Sequence, residues 1–463
     1  MTYAEELAFK RQKVQDALQR IGGWEGEVTG IHGAKDPDRY RNKIQFPVAE
    51  GPKVGFFRAR SHDVIDAPDC LLQPMAATRL RGAFRDWMAA HHIPAYDEKA
   101  HRGLLRHFYV RTNRKGQSLC AVIANGEALP QEAALVQALR QAEPNLVGVV
   151  LSVNREKTNV ILGKTYRTLW GQDYLEDTLC GLEFRLSVPS FYQVNREQAE
   201  VLYGRALAFA GLTGRETVVD LYCGIGTITL VMARQAGRAI GAEVIPAAVE
   251  DAQANARRNG VENAEFLCAD AGQAAQELAR RGLRPDVICV DPPRKGISPE
   301  VVEAIVQMAP QRVVYVSCDP ATLGRDVKRL REGGYQLQQA EAVDTERIRA
   351  FLATPLAQEI RQARQVWREY RFALLMPAAL YDPAAEGEEL MLQGVVDCAF
   401  RTKEGLVVVD FKTDRLAPGE EPQRAEEYRP QLEAYAQALE RVMEEKVCRK
   451  VLYFFSTGAT INL

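Results

Sequence analysis

The chain has 463 residues, 46% of them hydrophobic, and a formal net charge of −2 at pH 7. This length suits two or three domains, and no apolar run reaches the roughly 18 residues that a membrane-spanning helix needs. The opening MTYAEELAFKRQKVQ lacks the apolar core of a signal peptide, and the nine scattered cysteines contain no CxxC pair, so we expect a cytoplasmic protein without disulfides or a zinc ribbon.

The first region, residues 1–183, combines helices with short alternating segments. Residues 1–20 are amphipathic and precede a glycine pair, which predicts a helix. Two further helices are expected near residues 74–91 and 130–142, within an antiparallel sheet. The predicted strands are NKIQFPVA, KVGFFRA, RHFYVRTN, SLCAVIAN, GVVLSVN and NVILG. Residues 1–120 carry 20 Lys and Arg against 14 Asp and Glu, an excess that suits phosphate contact, although solvated basic loops give the same count.

In the second region, residues 184–344, buried strands alternate with helices. The predicted strands are ETVVDLYC, RAIGAEV, AEFLCAD, PDVICVD and RVVYVSC. Alternation of this kind predicts an α/β fold with a doubly wound parallel sheet. Such sheets bind ligands at the carboxyl ends of their strands, where the strand order reverses.

The third region begins near residue 346. ERIRAFLATPLAQEIRQARQVWREY predicts a helix, and RFALLMP, QGVVDCAF and GLVVVDFKT predict strands. An acidic loop over 417–427 leads to the predicted helix RPQLEAYAQALERVMEE and to a last strand, VLYFFST. We expect a small α+β unit over residues 346–463.

Acidic residues end three successive strands of the second region. Asp220 precedes a turn with Gly224 and Gly226, and Glu243 and Asp270 end the next two strands. The glycines would allow close approach of an adenosine, whose ribose hydroxyls and amine would bind the two later carboxylates. The absence of a third glycine and of a phosphate-binding lysine disfavours a dinucleotide or ATP. S-adenosylmethionine is the natural candidate, with ordinary polar loop ends as the alternative.

A thiol ends the fifth predicted strand, and a stiff acidic loop follows the fourth. The two prolines of VDPPRKG hold Asp291 toward the pocket as an acceptor. Carbon 5 of uracil accepts a methyl group only after a nucleophile has added to carbon 6, and Cys318 is placed for this addition. The alternative role, a small buried residue, fits Cys268 and Cys289 better.

Several motifs carry a family resemblance over residues 1 to about 344. They are FKRQKV, YRNK, NVILG, SFYQVN, DLYCGIGT, DPPRKG and VSCDPATLGRD. This region resembles the RNA uracil-5-methyltransferases, especially the branch acting on 23S ribosomal RNA. The resemblance implies a class I methyltransferase sheet after an α+β RNA-binding domain, and a target uridine that leaves the helical stack. It also implies that Cys318 is the nucleophile and that Asp291 lies at the pocket. The ligands of S-adenosylmethionine that it implies are Gln193, Tyr222, Glu243 and Asp270.

The chain departs from the family pattern at both ends. The usual small β-barrel is not found, and only Cys70 matches one of the four iron–sulfur ligands, so we expect no cluster. The family's last strand, with the glutamate that removes the carbon-5 proton, is replaced by TERIRAFLATPL. We expect the sheet to lack that strand. Glu341, Asp344 or Glu346 could replace the base, and their spacing favours none of them.

Acidic residues and a lysine recur in the third region. GVVDCAF and VVVDFKTD place Asp397, Asp410 and Lys412 on adjacent strands, and Gln431 and Tyr435 share one helical face. Two carboxylates can hold Mg²⁺ while a lysine orients water, as metal-assisted phosphodiester cleavage requires, although a polar hairpin is the alternative. The region resembles the PD-(D/E)xK nuclease of the A subunit of AddAB-type helicase–nucleases. This resemblance implies single-stranded DNA as a substrate and leaves an AddB-like partner open.

Three functional hypotheses follow. The first is methylation of uracil carbon 5 in RNA, fused to a Mg²⁺-dependent nuclease. The second makes the nuclease the only working part and the rest an RNA-binding scaffold. The third is a non-functional fusion of two gene fragments, from rearrangement or from an assembly error.

Overall fold

The structure, a computed structural model, describes residues 3–58 and 62–345. Beyond residue 345 it describes 356, 359–360, 363, 365–377, 387, 389–412, 419–454 and 459–463. The chain forms two compact units, Thr2–Phe56 with Val64–Arg347 and, from Ile348, the carboxyl-terminal part. Within these described ranges, no helix has the length and apolar character needed to cross a membrane.

The first sheet has seven strands and two helices on it. The chain begins with α1 (Tyr3–Arg20) and β1 (Val28–His32), and the sheet elements then follow in order: β2 (Lys43–Ala49), β3 (Lys53–Phe57), β4 (Val64–Asp66), α2 (Met75–Ala90), β5 (Leu105–Thr112), β6 (Ser118–Ala124), α3 (Glu132–Ala142), β7 (Leu146–Val153) and β8 (Thr165–Gly171). The strand order is β4-β3-β2-β5-β6-β7-β8. The predicted helices are confirmed. From β3 to β8 the sheet is antiparallel except for the parallel pair β6–β7, between which α3 crosses over.

The core of this sheet lies under α2 and α3. Phe84 of α2 stacks on Phe108 of β5 with ring centroids 4.3 Å apart, and Leu135 of α3 is fully buried in the same cluster. Burial of these large apolar side chains, worth about 1.5–3 kcal/mol each, holds the helices to the sheet.

One predicted strand is wrong. NVILG, residues 159–163, forms no strand, because side chains rather than a neighbouring strand bind its backbone. Asn154 Nδ2 donates to the carbonyls of Val160 (2.7 Å) and Ile161 (2.9 Å), and the Gly163 N–H donates to Ser152 Oγ (2.9 Å). These bonds satisfy the polar backbone without a ladder.

The second sheet is parallel and doubly wound, as predicted. A hairpin of β9 (Tyr174–Leu179) and β10 (Leu182–Ser187) precedes it, and its elements are α4 (Arg196–Ala210), β11 (Thr217–Asp220), α5 (Thr227–Ala233), β12 (Arg238–Glu243), α6 (Pro246–Arg258), β13 (Ala264–Cys268), α7 (Ala271–Arg280), β14 (Val287–Val290), α8 (Pro299–Met308), β15 (Arg312–Tyr315) and α9 (Pro320–Glu332). The order β13-β12-β11-β14-β15 reverses between β11 and β14. A ligand cleft is therefore expected at the carboxyl ends of these two strands.

The start of the chain packs against the end of this region. Strand β16 (Ala340–Val343) pairs in parallel with β1, not with β15, and the described residues add no further strand to the five-stranded sheet. Leu18 of α1, Val28 of β1 and Val327 of α9 form one buried cluster.

The carboxyl-terminal unit is a mixed five-stranded sheet. Its elements are β17 (Val366–Pro377), β18 (Glu389–Arg401), β19 (Leu406–Lys412), α10 (Glu421–Met443), β20 (Val447–Phe454) and β21 (Ala459–Asn462), with the strands in chain order. Only β19–β20 is parallel, joined through α10.

Two boundaries in this unit were predicted wrongly. Residues 366–370, assigned to a helix, belong to β17, because pairing with β18 runs from Val366 to Pro377 and overrides local helix propensity. The rest of that predicted helix lies mostly outside the described residues. Helix α10 begins at Glu421, inside the segment predicted as an acidic loop.

Candidate functional site

The turn after β11 lies where the strand order reverses. Asp220 is buried at its start, accepting from Thr229 Oγ1 at 2.7 Å and from the Tyr222 N–H at 3.3 Å. Burial raises the pKa of Asp220 to about 6, although the bond from Thr229 opposes this. Gly224 and Gly226 follow with φ of +54° and +85°, values that L side chains rarely adopt.

The two glycines have different reasons for lacking a side chain. A Cβ on Gly226 would lie 3.2 Å from Ala252 Cβ and 3.2 Å from the ring of Phe266, whereas one on Gly224 would meet nothing within 4 Å. Gly226 therefore lets the turn pack closely against α6 and β13, and the backbone at Gly224 faces open space. An open backbone at a strand end can accept the close approach of a nucleoside.

Glu243 is fixed beside this turn. Its Oε2 accepts from the Gly224 N–H at 3.1 Å and its Oε1 from the Ile245 N–H at 3.0 Å. Each carboxylate oxygen keeps a further lone pair, so the group can also accept from ligand hydroxyls. Asp270, at the end of the next strand, is exposed and caps α7 through the Gly272 N–H at 2.9 Å. Tyr222 is half-buried, and burial together with the charge of Asp270 raises its pKa to about 12.

Asp291 follows β14 on the other side of the reversal point. Gln193 Nε2 lies 3.5 Å from Asp291 Oδ2, and the half-buried carboxyl faces the charge of Asp220. Burial first, and then that charge, raises the pKa of Asp291 to about 7. A carboxyl that holds or releases a proton near neutral pH is suited to proton exchange with a bound ring.

Cys318 lies at the neighbouring strand end with an exposed thiol. The Val316 N–H donates to the Val290 carbonyl at 2.8 Å, which extends the pairing of β15 with β14 toward Asp291. Asp319 caps α9 by accepting from the N–H groups of Ala321 (2.9 Å) and Thr322 (3.1 Å), so the Asp-Pro pair begins a helix. Partial burial raises the pKa of the thiol, the charge of Arg294 opposes this, and that of Asp291 adds to it.

Asp326 is a site residue that the sequence analysis missed. It is fully buried on α9, where Oδ2 accepts from the Ile297 N–H at 2.9 Å and from the Tyr315 hydroxyl at 2.7 Å. These bonds tie the end of the DPPRKG loop to β15, and so hold the segments of Asp291 and Cys318 together. The sequence held one signal for this role: Asp326 is an acidic residue next to Val327 on the apolar face of a predicted helix, where a charged side chain needs buried partners.

The carboxylates considered as replacement bases already have strong partners. Glu341 accepts from Arg205 Nε (2.7 Å) and Nη2 (2.6 Å) and lies 2.7 Å from His32 Nε2. Burial opposes its ionisation, but these bonds hold the pKa of Glu341 below its usual value. Asp344 is buried and accepts from the hydroxyl of Tyr3 and from Lys10. Residue 346 lies outside the described part of the chain.

The carboxyl-terminal unit gathers its own predicted residues. Asp410 Oδ2 lies 2.7 Å from Lys412 Nζ, and Asp397 Oδ2, on the paired strand, accepts from the Phe411 N–H at 2.8 Å. Burial, followed by the neighbouring Asp397, raises the pKa of Asp410 to about 7. The two carboxylates are thus close together, and paired carboxylate oxygens are the ligands that Mg²⁺ prefers.

Helix α10 completes this group. Lys412 Nζ donates to Gln431 Oε1 at 2.9 Å, Gln431 Nε2 donates to the Tyr435 hydroxyl at 2.7 Å, and Lys412 Nζ lies 3.8 Å from the ring centroid of Tyr428. Tyr428 was not predicted. In the part of the chain that the structure describes, no three His, Cys, Asp or Glu residues cluster as metal ligands, and Cys70 is a half-buried free thiol.

The parallel sheet, its reversal point and the acidic strand ends define a class I methyltransferase, followed by a small mixed α/β unit. A family model described as tRNA (Uracil-5-)-methyltransferase matches residues 137–344, and one described as the PD-(D/E)XK nuclease superfamily matches residues 300–461.

Curated relatives agree. Uncharacterized RNA methyltransferases of Clostridium tetani and Halalkalibacterium halodurans are 42% and 43% identical over 348 and 353 residues, which is 74% of this chain and 76% of each relative. The chain therefore belongs to the family of RNA uracil methyltransferases. The crystal structure of Pyrococcus abyssi tRNA (uracil-54, C5)-methyltransferase in complex with S-adenosyl-L-homocysteine superposes with a TM-score of 0.63 at 24% identity, over 75% of this chain and 81% of that one, which shows the shared fold.

Proposed function

We propose that this protein transfers a methyl group to carbon 5 of a uracil in RNA through a covalent adduct of Cys318. Residues 1–183 would bind RNA, residues 184–344 would carry the transfer, and residues 346–463 would form a nuclease. The carrying observation is that Glu243, Asp291 and Cys318 end strands around one reversal point in a chain of this family.

The residues around the β11 turn fit S-adenosylmethionine as the donor. Glu243 keeps acceptor capacity for ribose hydroxyls, the backbone at Gly224 is open, and Asp270 is exposed at the next strand end. Gln193, Tyr222 and Gly226 complete the proposed binding set, and Asp291 contacts it through Gln193. When bound, S-adenosylmethionine supplies an electrophilic methyl group.

Cys318 would act as the nucleophile. Its exposed thiol would give its proton to solvent, and the charge of Arg294 favours the thiolate that results. The sulfur forms a bond to carbon 6 of uracil, and the electron pair of the C5–C6 double bond moves toward carbon 5 and the carbonyl oxygen at carbon 4. Asp291, in its protonated form, can donate a hydrogen bond to a uracil carbonyl and stabilise this negative charge.

Release requires the carbon-5 proton to leave, after which the C5–C6 double bond re-forms and the thiolate departs. Glu341 is held by Arg205 and His32, and Asp344 by Tyr3 and Lys10, so neither is positioned as a free base. We therefore expect a long-lived RNA–protein adduct and slow release of methylated RNA.

Phe191 supports an unstacked uracil as the substrate. Its side chain is 62% exposed, and it lies two residues before Gln193. An exposed ring beside a pocket can stack on a base that has left its helix, worth about 1–3 kcal/mol. We propose 23S ribosomal RNA as the source of that base, because the motifs resemble that branch most closely.

The test uses radiolabelled S-adenosylmethionine with ribosomal RNA, and transfer RNA as a second arm. RNA containing 5-fluorouridine should form an adduct stable to denaturing gels, since fluorine at carbon 5 cannot leave as a proton does. Cys318→Ala should abolish the adduct and the label, and Cys268→Ala, which removes another exposed thiol, should keep both. Label that enters RNA equally in the Cys318→Ala variant would refute the mechanism, and label in transfer RNA alone would refute the ribosomal target.

A second activity, Mg²⁺-dependent cleavage of single-stranded DNA, is favoured by the group on β18, β19 and α10. Asp397 and Asp410 would hold the ion, and Mg²⁺, when bound, would supply Lewis acidity. Lys412 would orient the attacking water, with Gln431 and Tyr435 fixing the lysine. Asp410→Ala should abolish cleavage, and Glu404→Ala, an exposed acid of the same unit, should not. If cleavage occurs while RNA is bound but not labelled, the transferase region is only an RNA-binding scaffold.

A further inference from the structure

Lys43 lies at the start of β2, and the surroundings of its ammonium are unusual. Its side chain is half-buried, and its Nζ lies 5.8 Å from the ring centroid of Phe191. Among the residues that the structure describes, no acceptor or carboxylate bonds to this ammonium. A partly desolvated charge with no counter-ion is unfavourable, and a bound anion would remove that cost.

The neighbours of Lys43 are also cations. Arg111 is its direct cross-strand partner in the antiparallel pair β2–β5, and like charges in opposed positions destabilise a sheet. Arg111 is buried and fixed, because Nη1 and Nη2 donate to the carbonyls of Ser187 (3.0 Å) and Ser190 (2.6 Å). Burial, and then the charges of Arg111 and Arg41, lower the pKa of Lys43 to about 8.

This cation cluster is tied to the proposed transferase site. Asn42, next to Lys43, donates through Nδ2 to the Gln193 carbonyl at 2.8 Å and through its N–H to the Val194 carbonyl at 2.8 Å. The side chain of Gln193 in turn reaches Asp291. Lys43 thus lies beside the exposed ring of Phe191, and its neighbour Asn42 is bonded to the segment that carries Gln193.

We infer that Lys43, opposite the fixed guanidinium of Arg111, forms an anion site for a phosphodiester of the RNA strand whose unstacked base lies on Phe191. The inference rests on the proposed RNA substrate and names the part of the protein that holds its backbone. A phosphate would neutralise the ammonium of Lys43, and one polynucleotide chain would supply both the stacked base and the charge.

The test compares the salt dependence of binding to oligouridine for wild-type protein, Lys43→Gln and Lys53→Gln. Lys53 is an exposed lysine of β3, so its variant makes the same change in net charge. Loss of one phosphate contact should reduce the slope of log affinity against log salt by about 0.7 for a single strand. We expect this reduction in Lys43→Gln and none in Lys53→Gln, with binding of S-adenosylhomocysteine unchanged in all three.

A second arm replaces the phosphates of oligouridine by neutral methylphosphonates. The penalty should be smaller in Lys43→Gln than in wild-type protein, because the variant has already lost the contact. The RNA phosphate site would be overturned, with the RNA function left standing, by either of two results. One is an equal salt slope in wild type and Lys43→Gln, and the other is competition by inorganic phosphate as strong as that by oligouridine. A wild-type protein that binds S-adenosylhomocysteine but no oligouridine would overturn the site and the RNA function together.

Discussion

Asp291→Asn should stabilise the ligand-free protein and remove its activity. The native carboxyl is half-buried, faces the charge of Asp220, and has a pKa of about 7 in place of 3.8. Each tenfold change in proton affinity corresponds to about 1.4 kcal/mol, so this difference corresponds to at most about 4 kcal/mol. Asparagine has nearly the same shape and carries no charge, which removes the cost of ionisation.

The sign of the pH dependence follows from linkage. The folded state has the higher pKa, so between pH 3.8 and about 7 it binds more protons than the unfolded state. The stabilising effect of the protonated Asp291 is complete below pH 3.8 and is lost as pH rises through 7. The advantage of Asp291→Asn should therefore be absent near pH 4 and reach its maximum, about 4 kcal/mol or less, near pH 8.

Thermal unfolding of ligand-free protein, followed from pH 4 to 8, measures this advantage. Asp173→Asn, at an exposed aspartate, is the matched control and should follow the wild type. Methyl transfer by Asp291→Asn should fall by about 100-fold or more, because the carboxyl can give its proton to the uracil carbonyl oxygen on which charge develops, whereas asparagine can only donate a hydrogen bond to it. A stability difference that is absent at pH 8, or equal at every pH, would refute the burial argument. Full activity in the variant would refute the catalytic role.

Three further changes test other parts of the structure. Gly296→Ala should destabilise the protein by about 2 kcal/mol or more and reduce methyl transfer, because φ is +76° and the new Cβ would lie 2.2 Å from Asp326 Oδ2. Gly214→Ala is the control: Gly214 has a φ of +97° but open space around it, so its variant should lose only about 1 kcal/mol from backbone strain. Equal unfolding temperatures for the Gly296→Ala and Gly214→Ala variants would contradict the steric argument. Glu341→Gln should lower unfolding stability by about 1–3 kcal/mol, since it weakens the bonds to arginine and histidine, yet leave the rate of RNA release from the Cys318 adduct unchanged. Slower release with intact folding would instead make Glu341 the base. Tyr428→Leu should reduce the maximal rate of Mg²⁺-dependent cleavage about tenfold while DNA affinity stays constant, because the face of the tyrosine ring holds the ammonium of Lys412. Tyr428→Phe keeps the ring and should restore the rate. A Tyr428→Phe variant as slow as Tyr428→Leu would exclude a role for the cation–π contact.

Local patterns predicted most of the secondary structure. The apolar runs VVD, AIGAE and VICV are bounded by turns and alternate with helices, so their neighbours in sequence already fix the strands β11, β12 and β14. The same alternation also predicted where the functional side chains lie, because parallel strands joined by helices all end at one edge of the sheet. This placed Asp291 and Cys318 at adjacent strand ends from sequence alone.

Long-range contacts decided the rest. Segment 366–370 has local helix character but pairs with β18, and NVILG has strand character but has no strand partner. The buried bonds of Asp326, the pairing of β1 with β16 and the opposition of Lys43 to Arg111 join residues far apart in the chain. Hydrophobic periodicity and turn chemistry act over a few residues, so the sequence determined the elements and the class of site. Which charges face one another depends on strand register, and register is fixed only when distant segments bury their apolar faces together.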